Sequence, residues 1–472
     1  MWNPTRREFL GSAALAAAAI STSIPLNRAH AYVPAASEVP PGDRPAQDKS
    51  VAVLHPRGRV PVSLIIDDST CLVNMGAFCM PQFRAAYPQN PAYWKDWKKW
   101  PREIPDDFMR EFAHFSIEQG VRGKFSVVPY PACVGWLDRE LPGWTKKELQ
   151  ESLRTIRELI ATQFDLTPEM ISHTRVIDIK TGRPLAEANA KTMEISYPPA
   201  RQSADELAAY IAYALGILKN ADLPCTGVTT PGGFGNACKS ELSLAMRQAL
   251  NEVFPGEIPF YFKYIATDAD RTHPRLEHVK GIIDADAKVT PQLIVNVPAA
   301  TGDWFGNWDG DQPPQGEKYL SDDGTAGRMA ELIQRGEPAV MFGHWAGLYS
   351  NGSGRGFNAF RKVVLTLNRQ FGDQTIWMKS SEMARYWAAR ELTRIERSGN
   401  QIALAAPFAC PGYTLRIDAA TGIAPTVARD RDVIALKEVS AVHRLTPGTW
   451  VAEKSAVVVC FDLQKGSVRL TV

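Results

Sequence analysis

The chain has 472 residues, 45% hydrophobic and 22% charged, with 53 basic and 51 acidic side chains for a net charge of +2. That composition is globular, and the length suits one large domain and a smaller one. So weak a net charge gives no ground for capture of nucleic acid or of an anionic membrane surface, which leaves a small or polymeric substrate as the expected partner.

The first 31 residues, "MWNPTRREFLGSAALAAAAISTSIPLNRAHA", carry Arg6 and Arg7, then Phe9 and Leu10, a weakly apolar alanine run, and Ala29-His30-Ala31. This is the layout of an export signal, and the paired arginines point to the twin-arginine route. Cleavage is expected after Ala31, with a periplasmic or secreted location. No later stretch approaches ~18 consecutive apolar residues, so no membrane span is expected in the mature chain. Residues 32–60 are rich in Pro and Ala and read as a linker. Seven cysteines (Cys71, Cys79, Cys133, Cys225, Cys238, Cys410, Cys460) show no C-x-x-C spacing, which argues against a zinc knuckle or redox motif. One or two disulfides are compatible with an oxidising compartment.

At residues 61–70, "PVSLIIDDST", an apolar, β-branched run ends in Asp67 and Asp68. Such a strand is covered on both faces, and carboxylates at its end stand where open α/β sites are built. The Trp- and Pro-laden "YWKDWKKWPREIPDD" then reads as an inserted loop or lid. Phe108, Phe112 and Phe115 fall at helical spacing in a segment closed by Gly120, and the strand-like "GKFSVVPYP" follows.

The rhythm continues with a helix in "KKELQESLRTIRELIATQF", a strand in "EMISHTRV", a helix capped by Ser203 or Asp205, and a strand and Gly-rich loop in "CTGVTTPGGFG". After these come the helix "KSELSLAMRQALNEVF", the strands "PFYFKYIATD" and "QLIVNVPAA", the helix "GTAGRMAELIQRG", the strand "PAVMFGHWAG" and the helix "GFNAFRKVVLTLNRQFG". Alternation of this kind predicts an α/β fold with a parallel sheet, closed or nearly closed as a barrel over residues 61–392. From residue 393 to 472, short strands and turns predict a small antiparallel β domain packed behind it.

Several polar residues fall at the exits of successive strands: Asp67 and Asp68, His173, the "TTPGGFG" loop, and His344. Barrel active sites are assembled by convergence of this sort. Asp268 and Asp270 also follow a strand and read as turn formers. Trp304 and Trp308 lie in the loop "GDWFGNWDGDQPP", and Trp345 follows His344. Exposed rings of this kind offer flat faces for sugar C–H surfaces, although buried anchoring of long loops is an equal reading.

With these motifs in view, the segment from about Pro61 to Arg385 resembles the polysaccharide deacetylase family of divalent-metal carbohydrate esterases. "SLIIDDST" is similar to that family's strand ending in two acids, and "AVMFGHW" to its apolar strand closing on His. "SHTRVID" matches the first half of a His-(Ser/Thr)-x-x-His motif, with Ile177 where the second histidine belongs. "TTPGGFG" is similar to an Arg-x-Pro-x-Gly loop, with Thr229 in place of arginine.

The resemblance implies a distorted (β/α) barrel that removes acyl groups from a carbohydrate. It makes Asp67 the general base, Asp68 and His173 metal ligands, and His344 the general acid. Thr230, Pro231 and Gly232 would contact the substrate together with Trp304, Trp308 and Trp345. The implied cofactor is a divalent metal, zinc first, with cobalt, nickel or manganese as alternatives. A catalytic zinc usually takes three protein ligands. Asp178 is the nearest substitute for the missing histidine, and His273 or His278 could reach in from another strand.

Two other readings keep the same residues. In one, Asp67 and Asp68, with Asp268 or Asp270, are the paired carboxylates of a glycoside hydrolase or lyase. In the other, the chain binds carbohydrate without catalysis, through its aromatic loops and its C-terminal β domain.

Overall fold

The structure, a computed structural model, describes residues 38–266, 271–281, 290–419, 424–429 and 432–472. The export signal expected over residues 1–31, including Arg6, Arg7 and Ala29 to Ala31, lies outside the described residues, as do Asp268 and Asp270.

After β1 (Val51–Val53), β2 (Val60–Asp67) runs through the core with residues 61–67 all buried. The adjacent apolar pairs of "VSLII" demand this, since a strand without alternation needs cover on both faces. α1 (Met75–Ala86) and α2 (Asp106–Gln119) follow. α2 buries Phe108, Phe112 and Phe115, and ends at Gly120, whose φ of 69° gives the left-handed cap that glycine adopts at no steric cost.

β3 (Gly123–Val127) leads to α3 (Lys146–Thr155), which starts at a Thr145/Glu148 capping box. One π-helical turn at Ile156–Ile160 and the short α4 (Ala161–Gln163) precede β4 (Phe164–Pro168). The strand expected at "EMISHTRV" is therefore five residues early, and residues 169–176 form the loop that leaves it. The two-residue strands β5 (Ile177–Asp178) and β6 (Arg183–Pro184) pair antiparallel.

α5 (Ala204–Asn220) is capped by Ser203 rather than Asp205, with the hydroxyl accepting from the Glu206 N–H. Next come β7 (Gly227–Thr229), α6 (Lys239–Val253), β8 (Phe260–Phe262), β9 (Arg275–Lys280), β10 (Gln292–Asn296), α7 (Gly316–Tyr319), α8 (Arg328–Gln334), β11 (Ala339–His344), α9 (Trp345–Tyr349), α10 (Arg355–Phe371), β12 (Thr375–Trp377) and α11 (Ser380–Leu392).

β11-β2-β3-β4 form one parallel sheet, to which β12 adds on β2. β7-β8-β10 form a second parallel sheet with β9 antiparallel at its edge. The α/β alternation and the parallel strands are as the sequence predicts, but among the described residues the ladders make two open sheets and no closed barrel. The sheets meet at isolated bridges: Leu166 with Cys225 and Glu169 with Thr229 along one seam, Asp303 with Phe342 along the other. Proline interrupts both seams. Pro168 ends β4 and Pro298 follows β10, and neither has the N–H that a continuous ladder requires.

The remaining strands are β13 (Arg394–Ser398), β14 (Gln401–Ala406), β15 (Cys410–Asp418), β16 (Thr426–Arg429), β17 (Asp432–Ala435), β18 (Lys437–Glu438), β19 (Thr449–Ala452), β20 (Ala456–Leu463) and β21 (Gly466–Thr471). They form two sheets, β13-β14-β21-β16-β17 and β1-β15-β20-β19-β18, antiparallel except for β18 on β19.

The segment expected as a linker is tied down over its described part. β1 pairs with β15, Gln47 bridges Ile395, and Gly42 bridges Val279. A Cβ at Gly42 would stand 2.2 Å from the Val279 carbonyl oxygen, so only glycine permits that approach. All seven cysteines are free, so the expected disulfides do not form. Among the described residues, no helix is long and apolar enough to cross a membrane.

Candidate active site

Asp67 ends β2 directly opposite His344, the last residue of the neighbouring β11. In a continuing strand Asp68 would point to the opposite face. Instead it leaves with φ of 58°, and the two adjacent carboxylates both act on His344. Asp67 ion-pairs with the Nζ of Lys124, a fully buried lysine on β3 that also donates to the Ile66 carbonyl at 3.2 Å. Asp68 Oδ1 lies 2.6 Å from His173 Nε2, and its Oδ2 lies 3.9 Å from His344 Nε2.

Glu169, the first residue past β4, completes the cluster. Its Oε2 accepts from the Asp68 N–H at 2.8 Å and the Ser126 hydroxyl at 2.6 Å, and its Oε1 stands 3.4 Å from His173 Nε2. The loop carrying His173 is strained, with Met170 at φ 50° and His173 at φ 64°. Non-glycine residues keep such angles only where their surroundings impose them. Buried Glu194 does so here, accepting the backbone N–H groups of Ile171, Ser172 and His173 at 3.2, 3.0 and 2.5 Å and the Tyr210 hydroxyl. Burial raises the Glu194 carboxyl to about 7 against the pull of those bonds.

On the other side, His344 Nδ1 donates to Asp303 Oδ2 at 2.7 Å, which orients the ring and turns Nε2 toward the acids. Burial alone would lower the His344 pKa, but Asp68 and Asp303 outweigh it and raise the imidazole to about 9. Burial pushes Asp67 up to about 7, helped by Glu169 and opposed by Lys124. Glu169 is held below the usual carboxylate range, because His173, Lys124 and Ser126 outweigh its burial. His173 is raised well above an ordinary imidazole, with Asp68 overcoming the cost of its burial.

Asp68, Glu169 and His173 each offer a buried ligand atom, and these atoms all lie within 4.8 Å of one another. Ligands bonded to one zinc at ~2 Å stand roughly 3 to 4 Å apart. One imidazole nitrogen and two carboxylate oxygens suit such an ion chemically. The cluster therefore has the composition and spacing to hold a divalent metal.

Asp178 is not part of it. Its carboxylate accepts from the Lys180 N–H at 3.0 Å and the Thr181 hydroxyl at 3.0 Å, closing the turn after β5. Nor do the spare histidines reach in. His273 faces Glu337 at 3.3 Å and packs on Trp387, while His278 bonds the Ser243 hydroxyl at 2.8 Å.

Thr229 is bridged to Glu169, so Thr230, Pro231 and Gly232 leave β7 beside the site. Thr230 Oγ1 is buried there without a hydrogen-bond partner. The three tryptophans separate. Trp308 packs on Phe83 at 5.4 Å between centroids, and Phe83 lies 6.3 Å from the His173 ring. Trp304 packs on Tyr319 and lines a different cavity beside α8. Trp345 is a core residue wedged among Phe108, Phe112 and Phe125 with centroids 4.9 to 5.3 Å away. Trp345→Ala is accordingly expected to cost about 3 to 5 kcal/mol in urea unfolding.

Three residues that matter here were not singled out from the sequence. Glu169 was hidden by placing the strand too late. Lys124 carried the signal of a lysine inside an apolar run, a residue type that is almost never buried unpaired. Asp303 lay among tryptophans that drew the reading to sugar stacking.

No family model matches the chain, and no curated protein matches it. Solved structures that overlay on it include a candidate glycoside hydrolase/deacetylase from Parabacteroides distasonis, at 10% identity and a TM-score of 0.36 over 76% of this chain and 81% of the other. An α-L-fucosidase overlays at 12% identity and a TM-score of 0.28, over 89% and 97% of the two chains. The Thermotoga maritima α-fucosidase overlays at 12% identity and a TM-score of 0.28, over 88% and 94%. Overlays this loose carry no argument about this chain.

Proposed function

We propose that the chain is a divalent-metal hydrolase of the polysaccharide deacetylase kind, removing acyl groups from a carbohydrate. The observation that carries this is the gathering of Asp68, Glu169 and His173 into one buried cluster, with Asp67 and the His344–Asp303 pair beside it. Zinc suits the mixed nitrogen and oxygen donors best, with cobalt, nickel and manganese next. Such an ion, when bound, polarises the acyl oxygen and acidifies its water.

The chain's own groups then have distinct tasks. Asp67 Oδ2 is buried without a hydrogen-bond partner and takes the proton of the attacking water, while Lys124 fixes the same carboxylate from below. His344, oriented by Asp303 through Nδ1, gives its Nε2 proton to the departing alkoxide or amine. Glu169 takes the ligand position for which Asp178 was expected. Trp308 and the Thr230–Pro231–Gly232 loop stand nearest to the sugar. Twin-arginine export, a division at residues 61–392 and 393–472, and a distorted barrel completed through the bridged seams belong to the same reading.

The test is a product assay. Purified protein dialysed against chelator and reloaded with zinc is incubated with acetylated chito-oligosaccharides and acetylated xylan. Release of acetate that depends on zinc and is lost in Asp67→Asn supports the proposal. New reducing ends without acetate, from metal-free protein, would replace it with glycoside hydrolysis.

A further inference from the structure

Far from the acids lies a cavity of about 790 Å³ that plays no part in this chemistry. It opens at the starting ends of the strands. Arg122 comes just before β3, Thr226 just before β7 and Pro259 just before β8, while Pro411 and Gly412 enter from β15. Trp377 lines it and pairs with Val62 near the start of β2, whereas Asp67 ends that strand. Five residues of strand at ~3.3 Å each put roughly 16 Å between them. The cavity thus lies between the α/β sheets and the C-terminal strands, a usual position for a ligand site, and its size falls within the ~300 to 1,000 Å³ of small-molecule pockets.

Its walls are apolar, with Phe254, Ile258, Pro259, Ile376 and Met378 among them. Its charges are unbalanced. Four cations, Arg57, Arg122, Lys219 and Arg385, face two carboxylates, Glu257 and Glu382. Arg122 is paired with Glu382 at 2.8 Å and Arg385 with Glu257 at 3.3 Å. That leaves two cations in surplus. Lys219 Nζ donates to the Val253 carbonyl at 3.0 Å and lies over the Phe254 ring, which leaves its charge uncompensated. Arg57 forms no ion pair among the described residues. Its backbone is held at φ 56°, with its N–H on the Thr414 hydroxyl at 2.8 Å.

We propose that this cavity is a second ligand site, for a small amphipathic carboxylate whose hydrocarbon body fills the apolar walls and whose anion meets Arg57 and Lys219. The site is independent of the hydrolytic reading, since it shares no residue with the acid and histidine cluster.

Calorimetric titration of the purified protein with dodecanoate, dodecan-1-ol and acetate tests it. Dodecanoate is expected to saturate at about one molecule per chain, as a single pocket of this size requires. Dodecan-1-ol should bind about tenfold more weakly for want of the charge-assisted bonds, and acetate should give no heat. Arg57→Gln should weaken dodecanoate about tenfold and leave dodecan-1-ol unchanged, with Lys219→Gln as a second variant should Arg57→Gln fail to fold. Asp68→Ala should bind dodecanoate like the parent. Absence of saturable dodecanoate binding, or equal affinity for acid and alcohol, overturns the proposal.

Discussion

Glu169→Ala is expected to empty the metal site. Loss of an outer hydrogen-bonding partner of a metal ligand already costs about 10- to 100-fold in affinity, and loss of one of three direct ligands exceeds that. Glu169 also holds the Asp68 backbone N–H and stands against His173, so its removal loosens the other two ligands as well. Dialysed protein measured by inductively coupled plasma mass spectrometry should fall from about one zinc per chain to a trace. Hydrolysis should fall by about 10³-fold or more, the several kcal/mol that a bound cation supplies to the developing charge. Asp178→Ala is the control, because its carboxylate only closes a surface turn. Should Glu169→Ala keep its zinc while Asp178→Ala loses it, the ligand set argued above is wrong.

Lys124→Met should be strongly destabilising. Lys124 and Asp67 are both fully buried and paired with each other. Removing Lys124 forces Asp67 either to keep an uncompensated charge out of water or to take up a proton, at a cost of up to about 3 to 5 kcal/mol. The same substitution joined to Asp67→Leu should recover most of that loss, since a buried ion pair replaced by apolar groups of similar volume is often neutral or better. Urea unfolding of the parent, both single variants and the double variant measures the coupling. If Lys124→Met unfolds at the parent's midpoint, Lys124 does not balance Asp67. The single variant should also lose hydrolysis, because an Asp67 forced neutral cannot accept a proton.

The ends of β2 and β11 were legible in the sequence for a local reason. Each is a continuous apolar run closed by ionisable side chains, so strand, exit and side chain read together at Asp67, Asp68 and His344. β4 was not. Phe164 to Pro168 is short, carries Asp165 and ends in proline, while the next eight residues have the β-branched look of a strand. The sheet chose the former because Asp165 accepts the Ser381 N–H and hydroxyl at the head of α11. That contact between residues 216 apart leaves no trace in local pattern. β9 was missed for a related reason. "RLEHVK" looks solvated, yet Glu277 is buried against the Tyr261 hydroxyl and His278 against Ser243. His173 falls in the buried cluster with Asp68, and the third member lies four residues back at Glu169 rather than forward at Asp178.

The bridged seams set how firmly this cluster is held. Asp67, Asp68, Lys124, Glu169, His173 and His344 all ride on β2, β3, β4 and β11 or on the loops that leave them, whereas Asp303 comes from beyond β10, across a seam that holds its bridge to Phe342, the Ala300 N–H on the Val340 carbonyl at 2.8 Å, the Phe342 N–H on the Thr301 hydroxyl at 3.0 Å and the His344–Asp303 bond. Parting the sheets there would break these bonds together, while Asp68, Glu169 and His173 stay gathered at the ends of β2 and β4. The second sheet thus works as a clamp, setting the tilt of the His344 ring through Asp303 on one flank and bracing Glu169 through Thr229 on the other.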